Sequence, residues 1–552
     1  MNRNTEQHFA TNPEIAISRS KFDRGHTHKT TLNTGDLVPI YLDEVLPGDT
    51  IKMRTSEVVR MMTPIAPVMD NANLDTYFFF VPNRLVWEHW KRFMGENDTA
   101  PWTQETEYEI PQIIAPEAGW KKGSLADYFG YPTEVGGYKA NALPFRAYSL
   151  IWNEWFRDEN LKNPVYISMG DSDITGTDKT TLGENYDYVV DTEKGAAPCK
   201  VAKYFDYFTG CLPGAQKGPA VKVPLGETAP VLLGKNWYHP DETNEDLEGK
   251  NALVIYDAAL HFSSGRKEGT IIPHDDQGTS YEADFIAGKA NQLVADLSNA
   301  VGATVNQLRQ AFAIQKFYER QALGGTRYIE MLQSHFSVTN PDFRFQRPEY
   351  LGGERIPINM NQVIQTSESN TTPQGTTAAY SITAGRNDDL FTHSFTEHGM
   401  IIGLACIRTT HTYQQGLNRM LSRKKFTDFY FPEFANLGNM AVLNKEIFLQ
   451  GTSKDEEAFG YQEAWADYRY MPDRVSGEMR SNYAQSLDIW HYADDYESLP
   501  ALGSKWIDEV ETNVARTLAV ESHDQFLADF YFGGIYTRPM PLYSIPGLID
   551  HH

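Results

Sequence analysis

The chain has 552 residues, of which 41% are hydrophobic and 22% charged, so it has enough apolar material for a sizeable core and is not a wholly disordered protein. Its formal net charge of −24 argues against nucleic-acid binding over the whole surface but leaves room for a local basic patch. Aromatic residues make up 12% of the chain, which favours a β-rich, assembling protein.

Cysteine usage and the absence of targeting signals indicate the cellular compartment in which the protein is made. Cys199, Cys211 and Cys406 are an odd number without metal-ligand spacing, so we expect no disulfide framework and synthesis in a reducing environment. The N-terminus has no apolar leader, and no apolar run approaches the roughly 18 residues of a membrane-spanning helix. The sequence therefore predicts a soluble protein made in a cytoplasm.

The first segment, residues 15–35, is polar and mildly basic. Its cations include Arg19, Lys21, Arg24 and Lys29, and its one acid is Asp23. A flexible basic arm can follow the phosphates of a nucleic acid without ordered structure. A solvated leader to the first strand explains the same residues equally well, and the pattern leaves both interpretations open.

Strand-like sequence follows this segment. Residues 37–46 are apolar and β-forming, and residues 47–49 indicate a turn. In residues 51–55 apolar or β-forming side chains alternate with Lys52 and Arg54. Residues 77–81 are a short continuous apolar run, which predicts a strand that is buried on both faces.

Two helices are predicted next, over residues 85–94 and 145–161. The second follows Pro144, a favoured first helical residue, and places aromatic side chains such as Trp152 and Trp155 on one face. An aromatic stripe of this kind can stack on bases. Because apolar stripes are normally buried, however, we interpret it as core or as a contact between subunits.

Residues 165–300 have weak periodicity and are rich in Gly, Pro, Asp, Asn and Thr. They carry 21 acids and 11 bases, a net charge of −10 out of the −24 of the whole chain. This texture predicts a long, solvated, acidic insertion with a few short strands, such as residues 252–256. An ordinary second domain is the alternative that periodicity does not exclude.

Regular structure returns at Thr304, where the pattern predicts a helix that ends at Gly324, followed by a second helix over residues 327–336. The loop over residues 341–348 interleaves aromatic and basic side chains. Residues 400–407 and 526–536 indicate strands, and prolines then favour an extended tail. Strands scattered along the whole chain, with long connections and no βαβ rhythm, predict a mainly antiparallel β fold.

No catalytic constellation is present in the sequence. The nucleophile-elbow, phosphate-loop, zinc-helix and Cys-x-x-Cys motifs are all missing. His26 with His28, and His551 with His552, lack nearby Cys or carboxylate partners at ligand spacing. We therefore predict no enzyme activity, no cofactor and no metal site.

Several blocks of the sequence resemble the major capsid proteins of the gokushovirus-type microviruses, which are small single-stranded DNA bacteriophages. The blocks are RSKFDR (residues 19–24), DEVLPGDT (43–50), FFFVPNRL (78–85), LPFRAY (143–148), GGTRYIE (324–330), QRPEYLGG (346–353), TYQQGLNR (412–419) and RPMPLYSIPGL (538–548). They occur in the order of the family from one end of the chain to the other, and they thin out between residues 165 and 300.

The resemblance implies an eight-stranded antiparallel jelly roll, assembled in sixty copies as a T=1 icosahedral shell around circular single-stranded DNA. It implies a basic internal arm over residues 1–35, a core over 36–164 and 301–552, and a surface protrusion over 165–300 that contacts the host. A small internal DNA-binding protein, pilot or spike-type minor proteins and a host surface receptor are the implied partners, with assembly in the host bacterial cytoplasm.

The DNA-contacting residues predicted from charge and resemblance together number six. Four belong to the arm and two, beside Phe343 and Phe345, are the weaker candidates: Arg19, Lys21, Arg24, Lys29, Arg344 and Arg347. Two alternatives from other classes remain at this point. One is a carbohydrate-binding or carbohydrate-active β-protein, and the other is a non-viral surface-layer protein.

Overall fold

A computed structural model describes the main part of the chain. The described residues are 18–97, 107–180, 188–221, 231–233, 270–271, 283–284, 293–295, 305–520 and 522–544. The chain divides into two compact units, one formed by Met1–Ala215 with Gln321–His552 and the other by Gln216–Arg320. The described residues are mainly β, with antiparallel sheets and few helices, as predicted from the sequence.

The first of two large antiparallel sheets lies in the first unit. With strands numbered along the chain, it contains β1 (Ser20–Asp23), β2 (His26–Leu32), β4 (Thr50–Met61), β16 (Thr383–Ser394) and β22 (Phe526–Arg538). Strand β22 pairs with β1 and β2 on one side and with β4 on the other, and β4 pairs with β16. Strand β4 alternates buried and more exposed residues along its length, the pattern of a sheet with one covered face.

The second large sheet also lies in the first unit. It contains β3 (Val38–Val45), β5 (Ala72–Pro82), β13 (Glu349–Pro357) and β17 (Gly399–Thr409), in the order β13-β5-β17-β3. Ten of the eleven residues of β17 are buried, since neither face of this strand meets solvent. Continuous apolar sequence of this kind is expected for strands buried on both faces.

Short elements complete the first unit. Its other strands are β6 (Gln112–Ile114), β7 (Lys139–Asn141), β8 (Ile174–Thr175), β14 (Met360–Ile364), β15 (Thr377–Ser381), β18 (Thr412–Tyr413), β19 (Asn439–Leu443), β20 (Ala458–Glu463) and β21 (Asp473–Arg474). Its helices are α1 (Trp90–Phe93), α2 (Leu125–Tyr128), α3 (Leu143–Ile151), α4 (Tyr188–Asp191), α6 (Tyr328–Phe336), α7 (Arg419–Ser422), α8 (Asn444–Ile447) and α9 (Thr512–Ala515).

The second unit is described in a few segments. Strand β9 (Val231–Leu233) pairs with β12 (Leu293–Ala295), and β10 (Thr270–Ile271) pairs with β11 (Ala283–Asp284), both antiparallel. Helix α5 (Val305–Leu323) begins in this unit and ends one residue before Gly324, which confirms the predicted helix. The strand expected at residues 252–256 lies outside the described residues.

The main core lies between the two large sheets. Phe78 on β5 has its ring centroid 6.1 Å from those of Phe391 on β16 and Phe532 on β22, so rings of the second sheet meet rings of the first. The hydroxyls of Tyr41 on β3 and Tyr536 on β22 form a hydrogen bond across the same space. Each such aromatic pair contributes about 1 kcal/mol beyond its buried area.

A second core covers the other face of the second sheet. Phe79 and Val81 of β5 are buried there, while Phe78 and Phe80 of the same strand lie in the main core. The predicted burial of residues 77–81 on both faces is thus confirmed. Helix α3 and its neighbours supply the cover, including the fully buried Trp152 that the sequence placed in the core.

The two helices predicted over residues 85–94 and 145–161 are shorter than expected. Residues 85–94 contain only the end of a 3-10 turn, Asn83–Leu85, and the four-residue α1. Helix α3 ends at Ile151 and continues as a π-helical turn over Trp152–Phe156. The bulky aromatic side chains there pack against other segments, and these tertiary contacts outweigh the periodicity.

The structure has ordered, packed residues in two regions that the sequence analysis assigned to a basic arm and to a surface insertion. Residues 20–32, placed in an arm by the sequence, form β1 and β2 and complete the edge of the first sheet, because β22 offers unpaired backbone groups there. Val165, Cys199 and Val201, placed in the insertion, are buried in the second core. The second unit begins later, at Gln216.

Candidate nucleic-acid interface

The outer face of the first sheet is the open face of the two-sheet arrangement. Val58, Leu527, Tyr531 and Ile535 lie on it and are 36% to 45% exposed. The corresponding face of the second sheet is covered by the core around α3. The first sheet therefore has a broad exposed face, whereas the corresponding face of the second sheet is covered.

Strand β4 supplies a row of cations to this open face. Lys52, Arg54 and Arg60 are exposed and are separated by even numbers of residues, so their side chains leave the same side of the strand. In the sheet, Lys52 lies opposite Ile535 and Arg60 opposite Leu527 on β22. Cations set among exposed apolar and aromatic side chains are the pattern that binds single-stranded nucleic acid through phosphates and bases.

The central cation of this row, Arg54, lies against a glycine of the neighbouring strand. Arg54 lies opposite Gly533 on β22. A Cβ atom at residue 533 would lie 2.3 Å from Arg54 Nε, so the Arg54 side chain lies against the Gly533 backbone and a larger residue there would displace it.

The first four predicted cations are close together in the chain, and the structure places them differently. Arg19 precedes β1 and is exposed, and Lys21 is exposed on β1 opposite Thr537 of β22. Lys29 is exposed on β2 and forms a 3.0 Å ion pair with Asp529, which is also about half exposed. An exposed pair of this kind is weak, so Lys29 remains available to a stronger anionic partner.

Arg24 has a structural contact that its sequence context did not predict. Its guanidinium forms a 2.9 Å ion pair with Asp43 of β3 and lies 5.1 Å from the centroid of the Tyr536 ring on β22. These contacts tie the turn between β1 and β2 to both large sheets. Arg24 therefore contributes to holding β1 and β2 in place, whatever else it contacts.

The weaker candidates, Arg344 and Arg347, have different environments. Arg344 is exposed on a 3-10 turn over Asp342–Phe345, next to the exposed Phe343. Arg347 forms a 2.9 Å ion pair with Asp342 and lies 3.9 Å from the ring centroid of Trp155, with 11% of its side chain exposed. Arg344 thus presents a cation to solvent, whereas Arg347 stabilises its own loop.

The sequence analysis did not predict the row of cations on β4, although the sequence contains the pattern that indicates it. The alternation that predicted the strand also predicted that Lys52 and Arg54 share its solvent face. What the sequence did not provide was the neighbour: β22 lies more than 450 residues away and brings Gly533 and Tyr531 to the same face.

His28 adds little positive charge near this interface at neutral pH. Burial, and to a lesser extent His26, lower the pKa of His28, while Asp127 opposes the shift. A lowered pKa means that His28 is mostly neutral at pH 7. The positive charge of the surface therefore comes from its lysines and arginines.

The cluster of side chains that most resembles a catalytic site lies outside this interface, and its role is structural. His411, buried, contacts Asp494 through Nδ1 at 3.0 Å and Glu509 through Nε2 at 2.9 Å. Burial opposes the charged ring, but the two carboxylates outweigh it and raise the pKa of His411 to about 9. An imidazolium that donates from both nitrogens to buried acids has no free lone pair and cannot act as a general base.

Other reactive groups in the described residues are also inert. The three cysteines are free and buried, and burial raises the pKa of Cys199 and of Cys406 to about 12. Within the described ranges, no set of three or more His, Cys, Asp and Glu side chains is arranged to hold a metal ion. His551 and His552 lie outside those ranges. Among the described helices, none is long and apolar enough to cross a membrane.

The chain matches a family of known proteins over nearly its whole length. The model of the family described as capsid protein (F protein) matches residues 10–548. Capsid protein VP1 of Bdellovibrio phage phiMH2K is 42% identical over 557 residues, covering 99% of this chain and 98% of that protein. Capsid protein VP1 of Spiroplasma virus 4 is 41% identical, with 96% of both chains covered. That of Chlamydia phage 1 is 38% identical, covering 98% and 97%.

These relatives decide between the classes that the sequence left open. All three are capsid proteins, so this chain is a structural protein of a virion and not a carbohydrate-active or other enzyme. A capsid protein assembles with further copies into a shell, which accounts for the aromatic-rich composition. The chain belongs to the capsid protein (F protein) family of the microviruses.

Proposed function

We propose that the chain forms a T=1 icosahedral shell of sixty copies around circular single-stranded DNA, and that the outer face of its first sheet contacts that DNA. The observation that carries the proposal is the row of exposed cations on β4, Lys52, Arg54 and Arg60, on the open face of the two large sheets. A chain with a net charge of −24 repels DNA elsewhere, so a concentrated basic face is where packaged DNA would lie.

We infer that the two large sheets are the halves of an eight-stranded jelly roll, with β1 and β2 counted together as one strand. Each sheet then has four positions. Along the chain, β3, β4 and β5 alternate between the sheets, and so do β16, β17 and β22. The alternation supports a jelly roll over a meander, because a meander pairs consecutive strands within one sheet.

The six predicted DNA contacts divide into two groups under this proposal. Arg19, Lys21, Lys29 and Arg344 are exposed and would contact phosphate. Arg24 and Arg347 would act indirectly, because their ion pairs with Asp43 and Asp342 hold the neighbouring backbone. Exposed Tyr531 on β22 adds a ring on which a base can stack.

The acidic insertion is proposed as the part of the shell that contacts the host. Residues 165–300 carry 21 acids and 11 bases, which suits a solvated outer surface. The compact unit Gln216–Arg320 overlaps most of this region. A host receptor, a small internal DNA-binding protein and minor pilot or spike-type proteins complete the proposed partners, with assembly in the host cytoplasm.

Salt dependence of DNA binding tests the interface directly. Replacing Lys21, Arg54 and Arg60 by Gln should lower the slope of log affinity against log salt by about 2, since each phosphate contact on single strands contributes about 0.7. The affinity of the purified chain for circular single-stranded DNA is measured by filter retention from low to moderate salt. The DNA content of assembled particles should fall in parallel.

A matched control separates position from total charge. Three exposed lysines lie outside the first sheet: Lys91, Lys454 and Lys505. Their replacement by Gln removes the same number of positive charges as the test variant. This control should leave the slope nearly unchanged. Equal slopes for the two triple variants, or an unchanged slope in the β1–β4 variant, would show that the sheet face is not the DNA site.

A further inference from the structure

The segment from residue 420 to residue 437 exposes an unusual amount of apolar surface. Seven large apolar side chains in it are 42% to 74% exposed: Met420, Leu421, Phe426, Phe429, Tyr430, Phe431 and Leu437. Together they leave on the order of 700 Å² in contact with solvent, against roughly 800 Å² per partner in a specific protein interface. Apolar areas of this size on a soluble protein indicate a surface that a partner covers.

The backbone of this segment is held in place although its side chains are exposed. Asn418 Oδ1 accepts a 3.0 Å hydrogen bond from the Met420 amide, and Asp428 Oδ2 accepts bonds of 2.7 and 2.8 Å from the amides of Lys424 and Lys425. Trp465 Nε1 donates at 2.8 Å to the Phe434 carbonyl. The rings are therefore presented by fixed turns, and a partner that binds them loses little conformational entropy in ordering the segment.

Arg423 also holds this segment in place through contacts within its own chain. Its guanidinium pairs with Asp467 and lies 4.4 Å from the Tyr468 ring centroid and 5.5 Å from that of Phe429. Its Nε donates at 2.9 Å to the Asp428 carbonyl. Arg423 is thus occupied within its own chain and holds Phe429 in position.

The segment is also a basic region on an acidic protein. Residues 420–437 contain three cations and two acids, whereas the whole chain contains 49 cations and 73 acids. Lys424 and Lys425 are exposed beside the rings. A surface of this charge is complementary to most of the surface of another copy of the same chain.

We propose that residues 420–437 form a contact between neighbouring copies of this chain in the shell, by docking against an acidic surface of the next copy. The inference rests on the capsid function and deepens it by naming a contact segment. Interfaces between proteins are enriched in Phe, Tyr, Met and Arg, which matches the segment. DNA is the less suitable occupant, because seven apolar side chains accompany only two solvent-facing lysines.

The charge also selects the geometry of the contact. If two copies met through the same segment across a twofold axis, Lys424 and Lys425 of one copy would face those of the other. The contact is therefore heterologous: the segment of one copy meets a different, acidic surface on the next. Repeated around a rotation axis, such contacts close into a ring, which is how a shell builds its threefold and fivefold positions.

Assembly of full-length variants tests the contact. Leu421→Ser combined with Phe426→Ser removes the two most exposed apolar side chains of the segment without touching a buried residue. Tyr166→Ser, at an aromatic residue that is 57% exposed on another segment, is the matched control. Particles are recovered by sedimentation from cells that express each chain with the other proteins of the virus. Thermal unfolding and retention of single-stranded DNA are measured on the purified chains.

The expected result is a particle yield lower by about tenfold or more for the double variant, with an unchanged melting temperature and DNA affinity. The control should assemble like the unaltered chain. Normal yield of the double variant overturns the proposal, and so does a loss of DNA affinity with normal yield, which would assign the segment to DNA. If even the unaltered chain forms no particles, the shell itself fails and this contact fails with it.

Discussion

The two large sheets of the first unit differ in what covers their outer faces. The central strands β5 and β17 of the second sheet are buried on both faces, and β5 contains the continuous apolar run of residues 77–81. The first sheet is covered on one side only, and β4 alternates cations with core residues. Substitutions on the second sheet should therefore destabilise the chain more than substitutions on the open face of the first sheet.

The largest expected difference comes from matched aromatic truncations on the two outer faces. Phe79→Ala removes a ring that is 1% exposed and lies 5.4 Å from Trp155, so it should lower the free energy of unfolding by about 4 kcal/mol. Tyr531→Ala on the open face should cost less than about 1 kcal/mol. Chemical denaturation of the full chain measures both. Similar losses would show that the first sheet is not open as described.

The next effect concerns a buried acid on the covered sheet. Asp75 on β5 accepts hydrogen bonds from Arg355 at 2.7 Å, Arg408 at 2.5 Å and Tyr204 at 2.9 Å. Asp75→Asn leaves two arginines without their acid and should cost about 3 kcal/mol.

Asp389→Asn provides the control on the first sheet. Asp389 is exposed and lies 3.4 Å from Lys52, so its replacement should change the free energy of unfolding by less than about 1 kcal/mol. A small loss for Asp75→Asn, comparable to that of the control, would contradict the assigned role of the buried network.

A smaller effect, of opposite sign, belongs to the inner face of the first sheet. Glu57 on β4 is 2% exposed, and neither of its carboxylate oxygens has a hydrogen-bond partner within the described residues. Burial, and then Glu354, raise the pKa of Glu57 from 4.5 to about 7. An acid whose pKa is raised by folding makes the folded state less stable as it ionises, so stability should fall as pH rises from about 4.5 to 7.

Glu57→Gln removes that ionisation. At pH 8 it should raise the free energy of unfolding by about 2 kcal/mol, and it should flatten the pH dependence between pH 4.5 and 7. Glu44→Gln, at an exposed position on β3, should do neither. Thermal unfolding between pH 4 and 8 makes the measurement, and an unchanged pH profile in Glu57→Gln would refute the assignment.

The hydrophobic periodicity and the composition of the sequence predicted most strands of the two large sheets, because both signals depend on neighbouring residues only. Residues 77–81 read as doubly buried, and residues 51–55 as alternating, directly from the sequence. The helices over 85–94 and 145–161 were predicted too long, since tertiary packing of their aromatic side chains decides where they end.

The candidate site depended more on contacts between distant segments. The sequence identified Lys21 and Lys29 as cations, but it could not show that Arg347 is occupied by Asp342 and Trp155. Nor could it show that Arg54 lies against Gly533, because strand pairing across hundreds of residues leaves no local trace. The strands β1 and β2 were read as an arm for the same reason.

The pairing of β2 with β22 has a consequence for the timing of synthesis. Lys29 and Asp529 are neighbours in the first sheet, yet 500 residues separate them. At bacterial translation speeds, roughly 25 to 100 seconds pass between the emergence of these two strands from the ribosome. Until β22 is synthesised, β4 lacks one of its two partner strands, so a nascent or truncated chain exposes an unpaired strand edge. Only a fully translated subunit therefore completes the first sheet, and any chain that ends before β22 leaves that edge open.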